Sequence, residues 1–238
     1  MNTNRTVRVE RTADGSATLM VKEMDEHYHS VKGALTESEH VFRDCAFLYR
    51  HSMNIGAGLN SESDKTSCAP VLRLLEIGFG TGLNAVVTAM ATNESTRMHY
   101  MSIEKYPLDI NLIDSLDYDN IIDGNIFQKI HTAEWNSKVE ITPWFSLEKL
   151  HCDYLEDQLP NDIDIVYFDA FAPEKQPEMW SEQAFARLYE SMRNGGVLTT
   201  YCSKGCIRRL LQSVGFCIER IPGPPGGKRE ILRATKGL

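Results

Sequence analysis

The chain is poor in the features that would make it a metal, redox, membrane or general nucleic-acid-coating protein. Its 238 residues include six cysteines, at positions 45, 68, 152, 202, 206 and 217. No C-x-x-C pair occurs and only Cys202 and Cys206 lie close together, so the spacing speaks against a zinc or redox site and for free core thiols. His27 and His29 flank Tyr28 on one side of a probable strand, but no third ligand accompanies them; they read as structural or substrate-facing. No apolar run approaches the roughly 20 residues that cross a bilayer. The opening residues, Met1 to Arg8, hold no apolar signal region, which predicts a cytosolic protein. Positive charge is also in deficit: 25 Lys and Arg against 33 Asp and Glu leave a net charge of −8. That excludes indiscriminate nucleic-acid binding over the whole surface.

What remains is a chain long enough for one α/β domain with an extension. Ala17 to Val21 and Glu26 to Ser30 read as two short strands. A helix follows from Thr36, with Val41, Phe42, Cys45, Phe47 and Leu48 on its apolar face. Residues 52–70, rich in Ser, Asn and Gly, form the best linker candidate, giving an N-terminal extension over 1–66 and a main domain over 67–238. From residue 71 strands and helices alternate. Strands are expected at 71–77, 98–104, 138–144, 163–168 and 197–202, with two more at the end. Helices are expected at 82–91, from Pro107, at 177–193 before Gly195-Gly196, and at 204–214. This is an α/β pattern: a mostly parallel seven-stranded sheet with helices on both faces, whose ligands sit beyond the C-terminal strand ends.

The first strand runs through Glu76 into Gly78-Phe79-Gly80-Thr81-Gly82-Leu83-Asn84. Glycines at alternate positions permit positive φ and let a ligand lie against the backbone at a helix start. The dinucleotide fingerprint is G-x-G-x-x-G. Here the pattern is E-x-G-x-G-x-G, the usual first motif of S-adenosylmethionine-dependent methyltransferases. The acid suits a cofactor bearing an ammonium and a sulfonium, and no Walker lysine is present to neutralise phosphates.

Three further elements fall at strand ends or in loops. Glu104 closes the second strand, where a carboxylate can accept hydrogen bonds from both ribose hydroxyls of an adenosyl group. Asp169 ends an apolar strand and opens Asp169-Ala170-Phe171-Ala172-Pro173; it can accept a hydrogen bond from a substrate amine, and Phe171 can stack on a base. The loop from Pro222 to Glu230 reads either as a plain hairpin connection or as a contact loop carrying Lys228 and Arg229. From Tyr201 onward the cations Lys204, Arg208, Arg209, Arg220, Lys228, Arg229, Arg233 and Lys236 face only Glu219 and Glu230. That segment is either a solvated face or a local phosphate-contacting patch.

Together, GFGTGLN at 78–84, Ile103-Glu104-Lys105-Tyr106-Pro107-Leu108, Asp169 to Pro173 with Pro177-Glu178-Met179-Trp180, and Gly226-Gly227-Lys228-Arg229-Glu230 carry a specific resemblance. The chain resembles, over nearly its whole length, the methyltransferase component of MnmC-type tRNA 5-methylaminomethyl-2-thiouridine synthesis enzymes. The resemblance implies a Rossmann-like class I fold with S-adenosyl-L-methionine as cofactor. The implied reaction is N-methylation of the 5-aminomethyl group of a wobble (thio)uridine, with the tRNA anticodon stem-loop as partner. By that analogy Gly78, Gly80 and Gly82 line the cofactor, with Glu76, Phe79, Thr81, Asn84 and Lys105 beside them. Glu104 would hold the ribose, and Asp169 would be the catalytic residue facing the amine. Phe171, Pro173, Trp180, Lys228 and Arg229 are the implied tRNA contacts. Known bifunctional members add a flavin-dependent oxidase domain. Ending at Leu238, this chain is expected to perform methylation alone and to depend on another enzyme for its amine.

Two departures from the family pattern stand out. Trp144-Phe145-Ser146-Leu147-Glu148 lies where relatives place an adenine-contacting acid, leaving Phe145 or Glu148 as candidates, and Ala170 replaces a familiar glycine. Asp169 also carries a chemical tension, because a carboxylate favours the ammonium form of an amine while burial favours the neutral, nucleophilic one; it reads as orienter or base. Rival readings are a small-molecule methyl- or aminopropyltransferase on the same fold and a non-catalytic RNA-binding protein.

Overall fold

Residues 6–56, 70–118 and 122–237 are described in the computed structural model, with 54–56 described by backbone alone. The expected linker lies mainly outside these residues, as do Cys68 and the boundary at 66/67. Eleven strands are described: β1 (Val7–Arg11), β2 (Ala17–Val21), β3 (Glu26–His27), β4 (Leu72–Ile77), β5 (Met98–Ile103), β6 (Lys138–Thr142), β7 (Phe145–Leu150), β8 (Ile163–Phe168), β9 (Met192–Thr200), β10 (Phe216–Pro222) and β11 (Glu230–Lys236). The first three form a small antiparallel sheet. The other eight form one mixed sheet in the order β10-β11-β9-β8-β4-β5-β7-β6. Its centre, from β9 through β8, β4 and β5 to β7, is parallel; the β10–β11 hairpin and β6 add antiparallel edges.

The central strands are apolar throughout because both of their faces are covered. Successive side chains along a strand point to opposite faces, so Leu74, Ile165 and Tyr167 enter one core while Leu75, Val166 and Phe168 enter the other. The first core is covered by α3 (Leu83–Met90), α5 (Gly124–Thr132) and a long helix over 34–56. That helix begins as α1 (Ala34–Glu37), widens to a π-helix over Ser38–Leu48 and ends as α2 (Tyr49–Gly56). Phe42 packs its ring 5.1 Å from Tyr167 and joins the N-terminal segment to the main sheet. Opposite lie α6 (Glu182–Ser191) and α7 (Gly205–Val214), and α4 (Ile110–Asp114) follows β5.

Several sequence expectations change. The main sheet has eight strands rather than seven, because Phe145–Leu150 is a strand in its own right. Ser146, Glu148 and Lys149 interrupt its apolar pattern, yet Ser146 and Lys149 are buried. Val7–Arg11 and α5 also form elements that the hydrophobic pattern did not mark. The strand expected at 26–30 shrinks to Glu26–His27. Pro107 does not open its helix, which starts at Ile110 behind an Asp109 cap. The segment 177–193 divides into a 3-10 turn, Pro177–Trp180, and α6, because Ser181 leaves the helical conformation and caps the Ala184 N–H. Gly195 and Gly196 do not end that helix; they lie within β9. Leu48 is 39% exposed and leaves the apolar face of its helix, where Ala46 is buried instead.

Candidate active site

Four C-terminal strand ends open onto one cleft of about 680 Å³, a size that suits a cofactor and part of a substrate. β4 delivers Gly78-Phe79-Gly80, β5 delivers Glu104, β7 leads to Cys152-Asp153-Tyr154-Leu155, and β8 delivers Asp169. Parallel strands share a direction, so their exits cluster at one edge of the sheet.

The floor beneath a ligand is backbone at the glycine loop. Gly78 has φ +93°, and a Cβ there would lie 2.9 Å from the Asp169 carbonyl oxygen. At Gly80, with φ +51°, the wall is aromatic: an added Cβ would stand 3.0 Å from Tyr28. The Glu104 carboxylate faces this floor from the next strand, accepting the Gly80 N–H at 3.2 Å and the Tyr106 N–H at 2.8 Å. A cradle of Cβ-free backbone beside a strand-end carboxylate matches an adenosyl group bearing ribose hydroxyls and a charged amino acid tail. The residues present therefore fit S-adenosylmethionine. Lys105 lines the same cleft and is held by Asp153 at 2.5 Å.

Glu76, Thr81, Gly82 and Asn84 do not line the cleft, contrary to the sequence reading; they are the framework behind it. Gly82, at φ +71°, is the N-cap of α3 and is covered by His131 and Phe79. Thr81 is fully buried and its hydroxyl bonds His29 Nε2 at 2.7 Å, tying the N-terminal segment to the glycine loop. Asn84 Nδ2 donates to Glu76 Oε1 at 3.0 Å and to Asp169 Oδ2 at 2.8 Å, and Ser102 Oγ donates to Glu76 Oε2 at 2.6 Å. Burial raises the Glu76 carboxyl to about 7. Asp169 is pushed up in the same direction by desolvation and by the neighbouring Glu37 and Glu76 carboxyls. The motif asparagine thus holds Asp169 through Oδ2, and the motif acid adds to the desolvation and the Glu37 charge that push Asp169 up.

The opposite wall is supplied, apart from Lys228, by residues that the motifs did not reveal. Met24, Glu26 to Val31 and Glu37 reach into the cleft from the N-terminal segment, joined by Tyr201 after β9 and Lys228 from the β10–β11 loop. Tyr28 meets Phe171 edge-on with centroids 5.0 Å apart. The signal for this wall was His27-Tyr28-His29. Its two histidines divide: His27 bonds Glu10 at 3.0 Å at the margin, whereas burial holds His29 neutral, at about 4.

Other expected contacts are corrected. Trp180 is 4% exposed and donates its indole N–H to the Phe171 carbonyl at 2.8 Å; it shapes the aspartate loop from below and offers no stacking face. Pro173 is half-buried and outside the cleft lining. Phe145 is fully buried within β7 and Glu148 bonds His99 at 3.1 Å, so neither stands at a strand end near a base. The exit of β7 is Cys152 to Leu155, and Asp153 there bonds Lys105 and the Leu155 N–H. The basic C-terminal run is largely neutralised within the chain. Lys204 pairs with Glu174, Arg220 with Glu230 and Arg233 with Glu219, while Lys236 donates to the carbonyls of Tyr189 and Met192. Lys228 and Arg229 diverge: the Lys228 ammonium turns inward, 3.6 Å over the Tyr201 ring, while Arg229 stays exposed.

Residues 126–237 match the model of a family described as S-adenosyl-L-methionine-dependent methyltransferase. A tRNA 5-methylaminomethyl-2-thiouridine biosynthesis bifunctional protein MnmC from Actinobacillus pleuropneumoniae is 28% identical over 235 residues, covering 90% of this chain and 33% of the relative. The protein of the same name from Pseudomonas fluorescens is 32% identical over 221 residues, covering 88% and 32%. The crystal structure of MNMC2 from Aquifex aeolicus shares the fold, with a TM-score of 0.73 at 24% identity, covering all of this chain and 73% of that one. These matches support an MnmC methyltransferase-type protein. Its fold is the class I α/β fold of S-adenosylmethionine-dependent methyltransferases, and S-adenosyl-L-methionine is its cofactor. The chain spans about a third of the length of the curated relatives it matches. No helix among the described residues is long and apolar enough to cross a membrane.

Proposed function

We propose that this protein methylates the nitrogen of a 5-aminomethyl group on a wobble uridine of tRNA, using S-adenosylmethionine as donor. The observation that carries the reading is that Glu104 and Asp169, from strands on either side of β4, open onto the same cleft with the glycine loop between them. One carboxylate suits a sugar diol and the other an incoming nitrogen. The relatives named MnmC supply the substrate class.

When bound, the cofactor supplies an electrophilic methyl group on a sulfonium. The work of the chain is then to fix a neutral amine in line with it, a positional task. An alkylamine in water at pH 7 is largely protonated, as lysine is with its pKa of about 10.4. In our reading Glu104 and the Gly78–Gly80 backbone hold the nucleoside of the cofactor, and Leu155 and Ile103 border its base. Asp169, fixed through Asn84, accepts one N–H of the acceptor and aims the nitrogen lone pair. The anticodon loop suits this cleft because its bases can be splayed and stacked on aromatic side chains; Phe171 and Tyr28 are the rings at hand. Arg209 and Arg229, exposed and with no ion-pair partner among the described residues, are the cations we assign to the phosphate backbone. We also read residues 1–66 as an extension that supplies the acceptor wall to the domain over 67–238. The reading requires a preceding reaction that furnishes the primary aminomethyl group.

The test is methyl transfer by the purified protein to tRNA bearing 5-aminomethyl-2-thiouridine, with spermidine and putrescine as competing acceptors. Wobble nucleosides from cells lacking the gene should in parallel contain the unmethylated aminomethyl form by mass spectrometry. Transfer to the polyamines with none to the tRNA would sink the reading in favour of a small-molecule transferase.

A further inference from the structure

Four groups from separate elements meet at the acceptor end of the cleft: Glu37 at the end of α1, Asp169 after β8, Tyr201 after β9 and Lys228 between β10 and β11. Glu37 is 7% exposed, and a carboxylate so far removed from water needs compensation. Its Oε2 accepts the Ser30 N–H at 2.8 Å, and its Oε1 has no hydrogen-bond partner among the described residues. Asp169 is arranged alike, with Oδ2 bonded to Asn84 and Oδ1 without such a partner. A cation fills the space beside them. The Lys228 ammonium lies 3.6 Å over the Tyr201 ring and interacts electrostatically with both Glu37 and Asp169. It enters from a Gly- and Pro-rich loop, on a residue that is otherwise exposed. A ring face with two carboxylates, each keeping an oxygen uncommitted, is chemistry for an ammonium.

We propose that Glu37, Asp169 and the Tyr201 ring form a subsite for a primary alkylammonium, that Lys228 occupies it until the acceptor enters, and that Glu37 Oε1 takes the acceptor's proton. The proposal rests on reading this cleft as the N-methyltransferase site. The step balances: an N–H bond of R–CH2–NH3+ breaks, its electron pair stays on nitrogen, and the proton forms an O–H bond on Glu37. Neutral amine and neutral acid result, and the acid later returns the proton to water. Burial already pushes the Glu37 carboxyl up, and withdrawal of Lys228 removes the positive charge that counteracts this. The titratable groups facing the site are Asp169, which is pushed up as Glu37 is, and Lys228, with Glu76 acting on Asp169 and Glu26 and Cys202 acting on Lys228, while burial holds Tyr201 and His29 neutral. Asp169 is left to orient the nitrogen.

Ethylammonium chloride, titrated calorimetrically into the full chain, tests the subsite without any RNA. Lys228→Met should bind it at least fivefold more tightly than the unaltered protein, and adding Glu37→Gln should reverse that gain. Unchanged or weaker binding by Lys228→Met would overturn the proposal. The base role is read from single-turnover methylation of aminomethyl-bearing tRNA. Glu37→Gln should lose at least tenfold at pH 7 and recover most of it by pH 9.5, where free amine is roughly 300-fold more abundant than at pH 7, with cofactor affinity unchanged. Glu37→Asp, which keeps the charge, should fall in between. A loss of equal size at both pH values, or none, would overturn the base assignment. If the unaltered protein methylates no tRNA, the proposed function fails while ethylammonium binding still decides the subsite.

Discussion

Gly78 to Gly80 and Glu104 reach the cleft from adjacent parallel strands, β4 and β5, each within a few residues of the strand that delivers it. Glu37, Tyr201 and Lys228 come from a helix, a strand exit and a hairpin loop scattered across the chain, and they meet only because the helix over 34–56 packs against β8 and β9. The wall we assign to the cofactor is therefore local in sequence and rigid in structure. The acceptor wall is assembled from distant pieces, and its groups hold one another in place by charge. The contrast implies that lesions in the first wall should act on cofactor affinity and lesions in the second on turnover.

The sharpest way to break that division is a crossed pair of variants. Asp169→Ala is expected to leave cofactor affinity nearly unchanged while lowering turnover by about a hundredfold or more, the range for a lost acid, base or orienting group. Glu104→Ala should do the reverse, weakening cofactor binding by roughly tenfold to a hundredfold through loss of charge-assisted hydrogen bonds. Calorimetry of the cofactor and single-turnover kinetics read the two effects apart, and near-normal turnover by Asp169→Ala would remove it from its role.

A smaller effect probes the framework joining the walls. The Glu76 carboxyl is raised from 4.5 to about 7 by burial. Between those values the folded protein keeps a proton that the unfolded chain has released, so stability falls as pH rises through that window and levels off above it. Asp169 and Glu37 shift in the same direction and add to the fall. Glu76→Gln should flatten the decline of Tm between pH 5 and 7.5 without abolishing it. A decline as steep as that of the unaltered protein would mean that Glu76 is ionised in the fold. The smallest expected change lies outside both walls: Arg229→Ala should weaken tRNA binding and reduce its log–log salt slope by about one. An unaltered slope would take Arg229 off the phosphate backbone.

Much of the wall we assign to the cofactor was legible in the chain because its signals are contiguous: alternate glycines after an apolar strand, and an acid ending the next. The same motif misled on detail. Glu76, two residues before the GFGTGLN segment, and Asn84, its last residue, point away from the cleft, since alternation along β4 and the turn of α3 send them behind the loop. Trp180 reads as an aromatic contact only until its indole N–H is seen to be spent on the Phe171 carbonyl. β7 was hidden because Lys149, a residue usually exposed, is buried with its ammonium on the His131 carbonyl and near the Trp135 ring. Which of the many C-terminal cations are neutralised at home depends on cross-strand pairing, as for Arg233 with Glu219, and no spacing rule along the chain announces it.

Local order was written in the residues themselves: apolar runs that must be covered on both faces, glycines that admit positive φ, and carboxylates stationed where strands stop. Those follow from short-range sterics and from hydrophobic burial, which act on neighbours along the chain. Only the folded molecule decided which carboxylates stand together, which lysine lies between them and which aromatic rings are exposed. Desolvation and Coulomb forces depend on distance through space, and that distance is fixed by how the N-terminal segment closes over the sheet.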